Sequence, residues 1–272
     1  MHINSMDTSE HTHSVNAIRV TTGRPPVREE CRVVMEQPAA IVIEGVGDYT
    51  LMCTPSDLDA LAVGFAFTEG LISKLADIHL LHRCEEDANT IRMRLSEARL
   101  HGAAQARNLI IASSCGMCGL ERVVEVLDGL PACGDTLRVS LAMLLAVHET
   151  MKSRQTLFRE TGGAHAAAIF TADGEIVSFA EDIGRHNALD KAIGKCLLLE
   201  RPTVGCGLAF SGRASFEIAV KAARAGLELI AAVSAPSSLA VRAAERCGIT
   251  LCGFVRGDHA TVYAHGSRVR TD

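Results

Sequence analysis

Two cysteines three residues apart, Cys115 and Cys118 in SSCGMCGLE, are the side chains of this 272-residue chain best suited to covalent chemistry. Only a thiolate is a good nucleophile, and a CxxC motif or a helix N-terminus lowers a thiol pKa from about 8.5 to roughly 3.5–7.5. Both conditions are expected here. NLIIAS ahead of the motif reads as a strand, and LERVVEVLDG after it has helical spacing, with Leu120, Val123, Val124 and Leu127 on one side. Three chemistries fit such a dithiol. A structural zinc needs four ligands, but no second CxxC or H-x3-5-H accompanies the first, and Cys247 and Cys252 fall across a helix-to-strand break. A thioredoxin-type role fits poorly, because no aromatic residue precedes the first thiol. The third is a sulfur carrier, with a persulfide on one cysteine and the other helping to release it.

Anion-binding residues gather at glycine-rich junctions between strands and helices. EDIGRHNALDK brings Glu181, Asp182, Arg185, His186 and Asn187 to one helix start, FSGRASFE brings Ser211, Arg213 and Ser215 to another, and SAPSSLA brings Ser234, Ser237 and Ser238 to a third. Helix N-terminal amides beside Ser or Arg hold anions, and ligands of open α/β sheets sit at the carboxyl ends of strands. Ser and Asn are also ordinary N-caps, so each junction has a purely structural reading as well. None of the three is a Walker A or a Rossmann fingerprint.

The elements that must position these residues fall into two rhythms. Residues 1–14, with His2, His11 and His13, carry no hydrophobic period and read as a disordered tail. Residues 15–135 read as a smaller, β-rich α+β domain carrying the CxxC loop. Its short strands lie near NAIRVTT, REECRVVME, AAIVIEG, DYTLMCT, ADIHLLHR and NTIRMRLS. One helix lies in TPSDLDALAVGFAFTEGLIS, capped by Thr54 with Pro55 in its first turn and Leu58, Leu61, Ala62 and Phe65 on one stripe. Residues 136–272 alternate helix and strand, the pattern of an α/β sheet with helices on its faces.

A formal charge of −5 argues against a general nucleic-acid binder, which draws its affinity from Lys and Arg on phosphates. No secretory leader and no membrane-length apolar run is visible, so the ten cysteines are expected to be reduced in a cytoplasm and mostly to fill the core.

The blocks LMCTPSDLDALAVGFAFTEGLI, SSCGMCG, TGGAHAAA, EDIGRHNALDKAIG, SGRASFEIAVKAARAG and AVSAPSSLAVRAAERCGITLCGFVRG resemble, in order, the formate dehydrogenase accessory sulfurtransferase family, FdhD. The resemblance runs from about residue 30 to near the C-terminus. It implies a cytoplasmic homodimer that takes persulfide sulfur from a cysteine desulfurase and passes it to the molybdenum cofactor, bis-molybdopterin guanine dinucleotide, for formate dehydrogenase. Cys115 would carry the persulfide and Cys118 would support it. The guanine dinucleotide would lie near Phe254, Val255, Arg256, Gly257, Asp258 and His259, although Asp258 and His259 stand where a basic residue is expected. Arg185 and Arg213 would hold phosphate beside Ser211 and His186, with His186 alternatively a hydrogen bonder at its helix start. No resident metal is expected.

The resemblance also implies a cytidine-deaminase-like, three-layer fold for residues 136–272. A deaminase itself is disfavoured: Ala188 stands two places after His186 where the proton-shuttling Glu is required, and SGRAS has no cysteine. A cofactor-binding chaperone with a structural CxxC is the remaining alternative. Whether Cys133 takes part is open.

Overall fold

The computed structural model describes residues 11–99 and 120–271. A hairpin of β1 (Thr12–Thr21) and β2 (Arg24–Val34) comes first, so ordered structure begins inside the stretch expected to be tail. Thr12 pairs with Val34 and Ser14 with Arg32, and an ion pair from Arg32 to Glu160 at 2.9 Å ties the hairpin to the body.

Four strands then form a sheet: β3 (Gln37–Ile43), β4 (Gly47–Cys53), β5 (Ile78–Arg83) and β6 (Thr90–Leu95), in the order β4-β3-β6-β5. Between β4 and β5 lies α1 (Leu58–Thr68). Leu58, Leu61, Ala62 and Phe65 are buried as expected, yet so are Ala60, Val63, Gly64 and Ala66. A helix apolar on all sides is one enclosed on all sides. One side of α1 meets its own sheet and the other meets α5 (Arg185–Leu198) of the larger unit.

That contact is very close. A Cβ on Gly64 would overlap the carbonyl of Asp190 and reach within 3.0 Å of the Gly194 amide nitrogen, and a Cβ on Gly194 would overlap the carbonyl of Ala60. Glycine is required at both positions by this approach, not by backbone conformation.

Thr54 and Pro55 lie ahead of the helix, whose N-cap is Asp57 in a left-handed conformation (φ 50°) with no side-chain cap bond. Thr54 is buried, and its polar groups are engaged elsewhere. Its N–H donates to Asp182 Oδ2 (3.1 Å), its hydroxyl accepts from the Ile183 N–H (3.1 Å), and its carbonyl accepts from Lys191 Nζ (2.9 Å).

Past the undescribed stretch come α2 (Leu120–Asp128), β7 (Val139–Ser140), α3 (Leu141–Arg154) and α4 (Thr156–Thr161). Val123 of α2 enters the core and Leu127 packs against it as expected, but Val126 joins them in place of Val124, which is 51% exposed.

The large sheet is built from β8 (His165–Phe170), β9 (Ile176–Asp182), β10 (Gly207–Phe210), β11 (Leu229–Ala232), β12 (Thr250–Arg256) and β13 (His259–Ala264). Its order is β13-β12-β11-β10-β8-β9, with β10, β11 and β12 parallel and the outer strands antiparallel. On one face α5, α6 (Phe216–Arg224) and α7 (Ser238–Cys247) cover Ala167, Leu208, Ile230 and Leu251. On the other, Leu144, Val147 and Met151 of α3 cover Ala168, Ala209, Ala231 and Cys252. A last strand, β14 (Val269–Arg270), runs parallel to β7. The chain is thus a mixed α/β protein of several sheets.

Candidate functional site

Much of EDIGRHNALDK holds the two units together. Asp182 and Lys191 are fully buried and 2.6 Å apart. Asp182 also accepts from Thr54, Gly184 and Asn187, while Asn187 donates to the carbonyl of Met52 on β4 (2.8 Å). One turn along α5, Asp190 binds Lys221 of α6 at 2.9 Å, and Lys221 reaches Glu69 and the Thr68 hydroxyl beyond the end of α1. Asp182 of the larger unit and Glu69 of the smaller one thus mark the two ends of this joint. Buried charges of this kind are tolerated because each is paired and hydrogen-bonded.

Glu181 is likewise structural, its two oxygens accepting the N–H groups of Leu157 and Phe158 at the start of α4 (3.0 and 2.9 Å). Burial raises its pKa against those bonds. Ser237 caps α7 through the Ala240 N–H (3.2 Å), so SAPSSLA is a capped helix start.

Arg185 and His186 take no part in that fastening. His186 pairs with Glu217 (2.7 Å) and lies 3.5 Å from the Ser215 hydroxyl. That contact holds the Glu217 carboxyl below its ordinary pKa, with burial opposing. His165, at the start of β8, has its pKa lowered first by burial and then by the charges of Arg185 and His186. Its Nδ1 lies 3.5 Å from the Ser211 hydroxyl, whose oxygen accepts the Ala166 N–H at 2.8 Å. Ser211, Arg185, His186 and His165 therefore share one edge of the sheet. Arg213 is exposed on the β10–α6 loop.

A cavity of about 500 Å³ opens at that edge, beyond the ends of β10, β11 and β12 on the α3 face. His165, Ser211, Val255, Arg256 and Gly257 line it, so four of the residues expected at a cofactor site face a common space. Its size falls in the range of small-molecule sites. Phe254, Asp258, His259, Arg185, His186 and Arg213 are not among the lining residues. Phe254 (φ 53°) packs its ring under the Arg256 guanidinium at 5.8 Å, and Asp258 pairs with His259 at the exposed tip of the β12–β13 hairpin. Gly257, at φ 63°, leaves its backbone open to the cavity, with nothing within 4 Å of where a Cβ would stand.

The remaining wall comes from residues given no site role by the sequence, although TGGAHAAA carries part of the family resemblance. His148, Met151 and Lys152 come from α3, Gln155 from the cap between α3 and α4, and Gly162, Gly163 and Ala164 from the turn into β8. The signals were a histidine on the buried face of an amphipathic helix and a glycine pair just before a strand.

Cys115 and Cys118 lie outside the described residues. The expected helix does open at Leu120, two places after Cys118. Among the described residues, burial pushes the thiols of Cys53, Cys133 and Cys252 up to about 12, the behaviour of packing residues. No cluster of three potential metal ligands occurs among the described residues, and no helix there is long and apolar enough to cross a membrane.

The fold and cavity define an α/β protein with an open cavity at the carboxyl edge of its sheet. A profile of the FdhD/NarQ family matches residues 34–270, and the chain belongs to that family. It is 37% identical over 279 residues to the "Sulfur carrier protein FdhD" of Bordetella parapertussis, covering 99% of this chain and 98% of that one. Identity to the protein of the same description from Mycolicibacterium paratuberculosis is 41% over 263 residues, covering 92% and 96%. A crystal structure described as a formate dehydrogenase accessory protein from Desulfotalea psychrophila superposes with a TM-score of 0.77 at 23% identity. The match covers 96% of this chain and 100% of that one.

Proposed function

We propose that this protein is a sulfur carrier for formate dehydrogenase, taking persulfide sulfur from a cysteine desulfurase onto Cys115 and delivering it to bis-molybdopterin guanine dinucleotide. The observation that carries this reading is membership of a family whose relatives are described as sulfur carriers, in a chain that has the SSCGMCG dithiol.

The Cys115 thiolate attacks the outer sulfur of the donor persulfide. The donor's S–S bond breaks, the donor leaves as a thiolate, and Cys115 becomes the persulfide. Attack of the Cys118 thiol on the inner sulfur then forms a Cys115–Cys118 disulfide and expels the outer sulfur as hydrogen sulfide for the acceptor. A thiol reductant reopens the disulfide.

The cofactor enters as the acceptor substrate, and the cavity fits one guanosine diphosphate end of it. Lys152 and Arg256 are cationic and exposed at the mouth, the Gly257 backbone is open, and Met151, Ala164 and Val255 supply a buried apolar interior. Arg185 with His186, and Arg213 from the exposed loop, are the further phosphate contacts of this reading. The larger unit, a mixed sheet between helix layers, is read as cytidine-deaminase-like on the same footing. A cytoplasmic homodimer belongs to the proposal too.

The same cavity also suits a second reading, a cofactor-binding chaperone that carries no sulfur. Intact-protein mass spectrometry after incubation with a cysteine desulfurase and cysteine separates the two. The carrier gains about one reductant-labile sulfur, and the gain vanishes in Cys115→Ala. A wild-type protein that gains none is the chaperone.

A further inference from the structure

The cavity has a chemical gradient. Its outer residues are charged or backbone-rich: Glu149, Lys152, Arg256, Gly162, Gly163 and Gly257 are all exposed. Its inner residues are buried and mostly apolar, with Met151 and Val255 each 1% exposed. Among them stands one imidazole. His148 is 6% exposed, and neither of its ring nitrogens has a hydrogen-bond partner. The backbone of Ala231 beside it favours the charged form slightly but lies outside hydrogen-bond geometry, and burial prevails.

Buried polar atoms are almost always paired, and an orphan in a cavity wall is a group whose partner is a water or a ligand. A neutral imidazole offers one donor and one acceptor. Largely apolar walls with a few hydrogen-bonding side chains, His148 among Gln155, His165 and Ser211, suit the flat faces and polar edge of a heterocyclic base, and the cationic mouth suits the phosphates attached to it.

We propose that His148 is the specificity residue of this cavity, making one hydrogen bond to the base of a guanine nucleotide while Lys152 and Arg256 hold its phosphates. The inference rests on the reading of the cavity as a guanine dinucleotide site. It assigns a role to a residue on α3, far in sequence from the C-terminal hairpin. Sites that hydrogen-bond a polar group discriminate strongly, because a ligand lacking it leaves the protein group unpaired.

The test is isothermal calorimetry of the full-length protein with guanosine diphosphate and with inorganic pyrophosphate, together with thermal melting of the ligand-free variants. His148→Phe is expected to bind guanosine diphosphate about tenfold more weakly and pyrophosphate unchanged. It should melt no lower than wild type, since two buried orphan atoms are replaced by apolar surface. His148→Gln, which restores a donor and an acceptor, should recover most of the nucleotide affinity. Equal nucleotide binding by His148→Phe and wild type overturns the assignment. So does a parallel loss of both ligands with a lowered melting temperature, which marks a structural role. A wild-type protein that binds neither ligand overturns the guanine dinucleotide reading itself, and this assignment with it.

Discussion

Lys191 Nζ lies 2.6 Å from Asp182 Oδ2, and neither side chain is exposed to solvent. The pair sits where β9 and α5 meet the loop after β4, with Thr54 bonded to both partners. Lys191→Met leaves a buried carboxylate without its cation and is expected to cost about 3–5 kcal/mol. Adding Asp182→Asn to it should restore part of that loss. Urea denaturation of the single and double variants is the check, and a single variant as stable as wild type would sink the idea of a charged joint.

The crossing of α1 and α5 predicts a second, steric sensitivity. Gly64→Ala and Gly194→Ala each push a methyl group into a helix carbonyl that no side-chain rotation relieves, so both should yield unstable or insoluble protein. Gly129→Ala is the control, since a Cβ there meets only ordinary contacts of 3.5 Å and beyond. Melting temperatures of the three variants separate a specific close approach from a general intolerance of glycine replacement.

Burial depresses the His148 pKa to about 4, against an ordinary value of about 6.5. The unfolded chain therefore binds the extra proton between those values while the folded protein does not, so unfolding becomes easier as pH falls across that window. The loss reaches roughly 3 kcal/mol near pH 4 and is absent above pH 7. His148→Phe should flatten this part of the stability–pH curve measured by denaturant titration. An unchanged curve would show that the ring is not the group responsible.

Within the C-terminal segment, position predicts which side chains matter. Arg256 lines the cavity, whereas Asp258 and His259 pair with each other at the exposed hairpin tip. Arg256→Ala should weaken guanosine diphosphate binding tenfold or more, and Asp258→Ala by less than twofold. Calorimetry giving the two variants equal losses would place the nucleotide over the hairpin tip instead.

The strands and helices were legible where a hydrophobic period carried them, as in the alternating run of β6 or the helix from Leu141 that Ser140 caps. What the sequence could not show was what lies across from each element. Thr54 followed by Pro55 has the form of a helix start, yet the distant Ile183 N–H claims the Thr54 hydroxyl that would have capped it. Val124 fits the helical spacing as well as Val123 does, but only packing decides which of them faces the core. The charged residues of EDIGRHNALDK have the composition of an active site, and several serve instead as a fastening between units. His148 shows the opposite case, an ordinary residue of a helix until the fold sets it beside the Gly162–Gly163 turn around one space.

The interlocked glycines also limit how this architecture can be recombined. A chimera that exchanged the smaller sheet with that of a relative would have to bring α1 from one parent onto α5 of another, and the two backbones meet with no side chain between them to absorb a mismatch. Exchange succeeds only if both helices travel together, so the natural cut points for grafting lie outside the interval from Leu58 to Leu198.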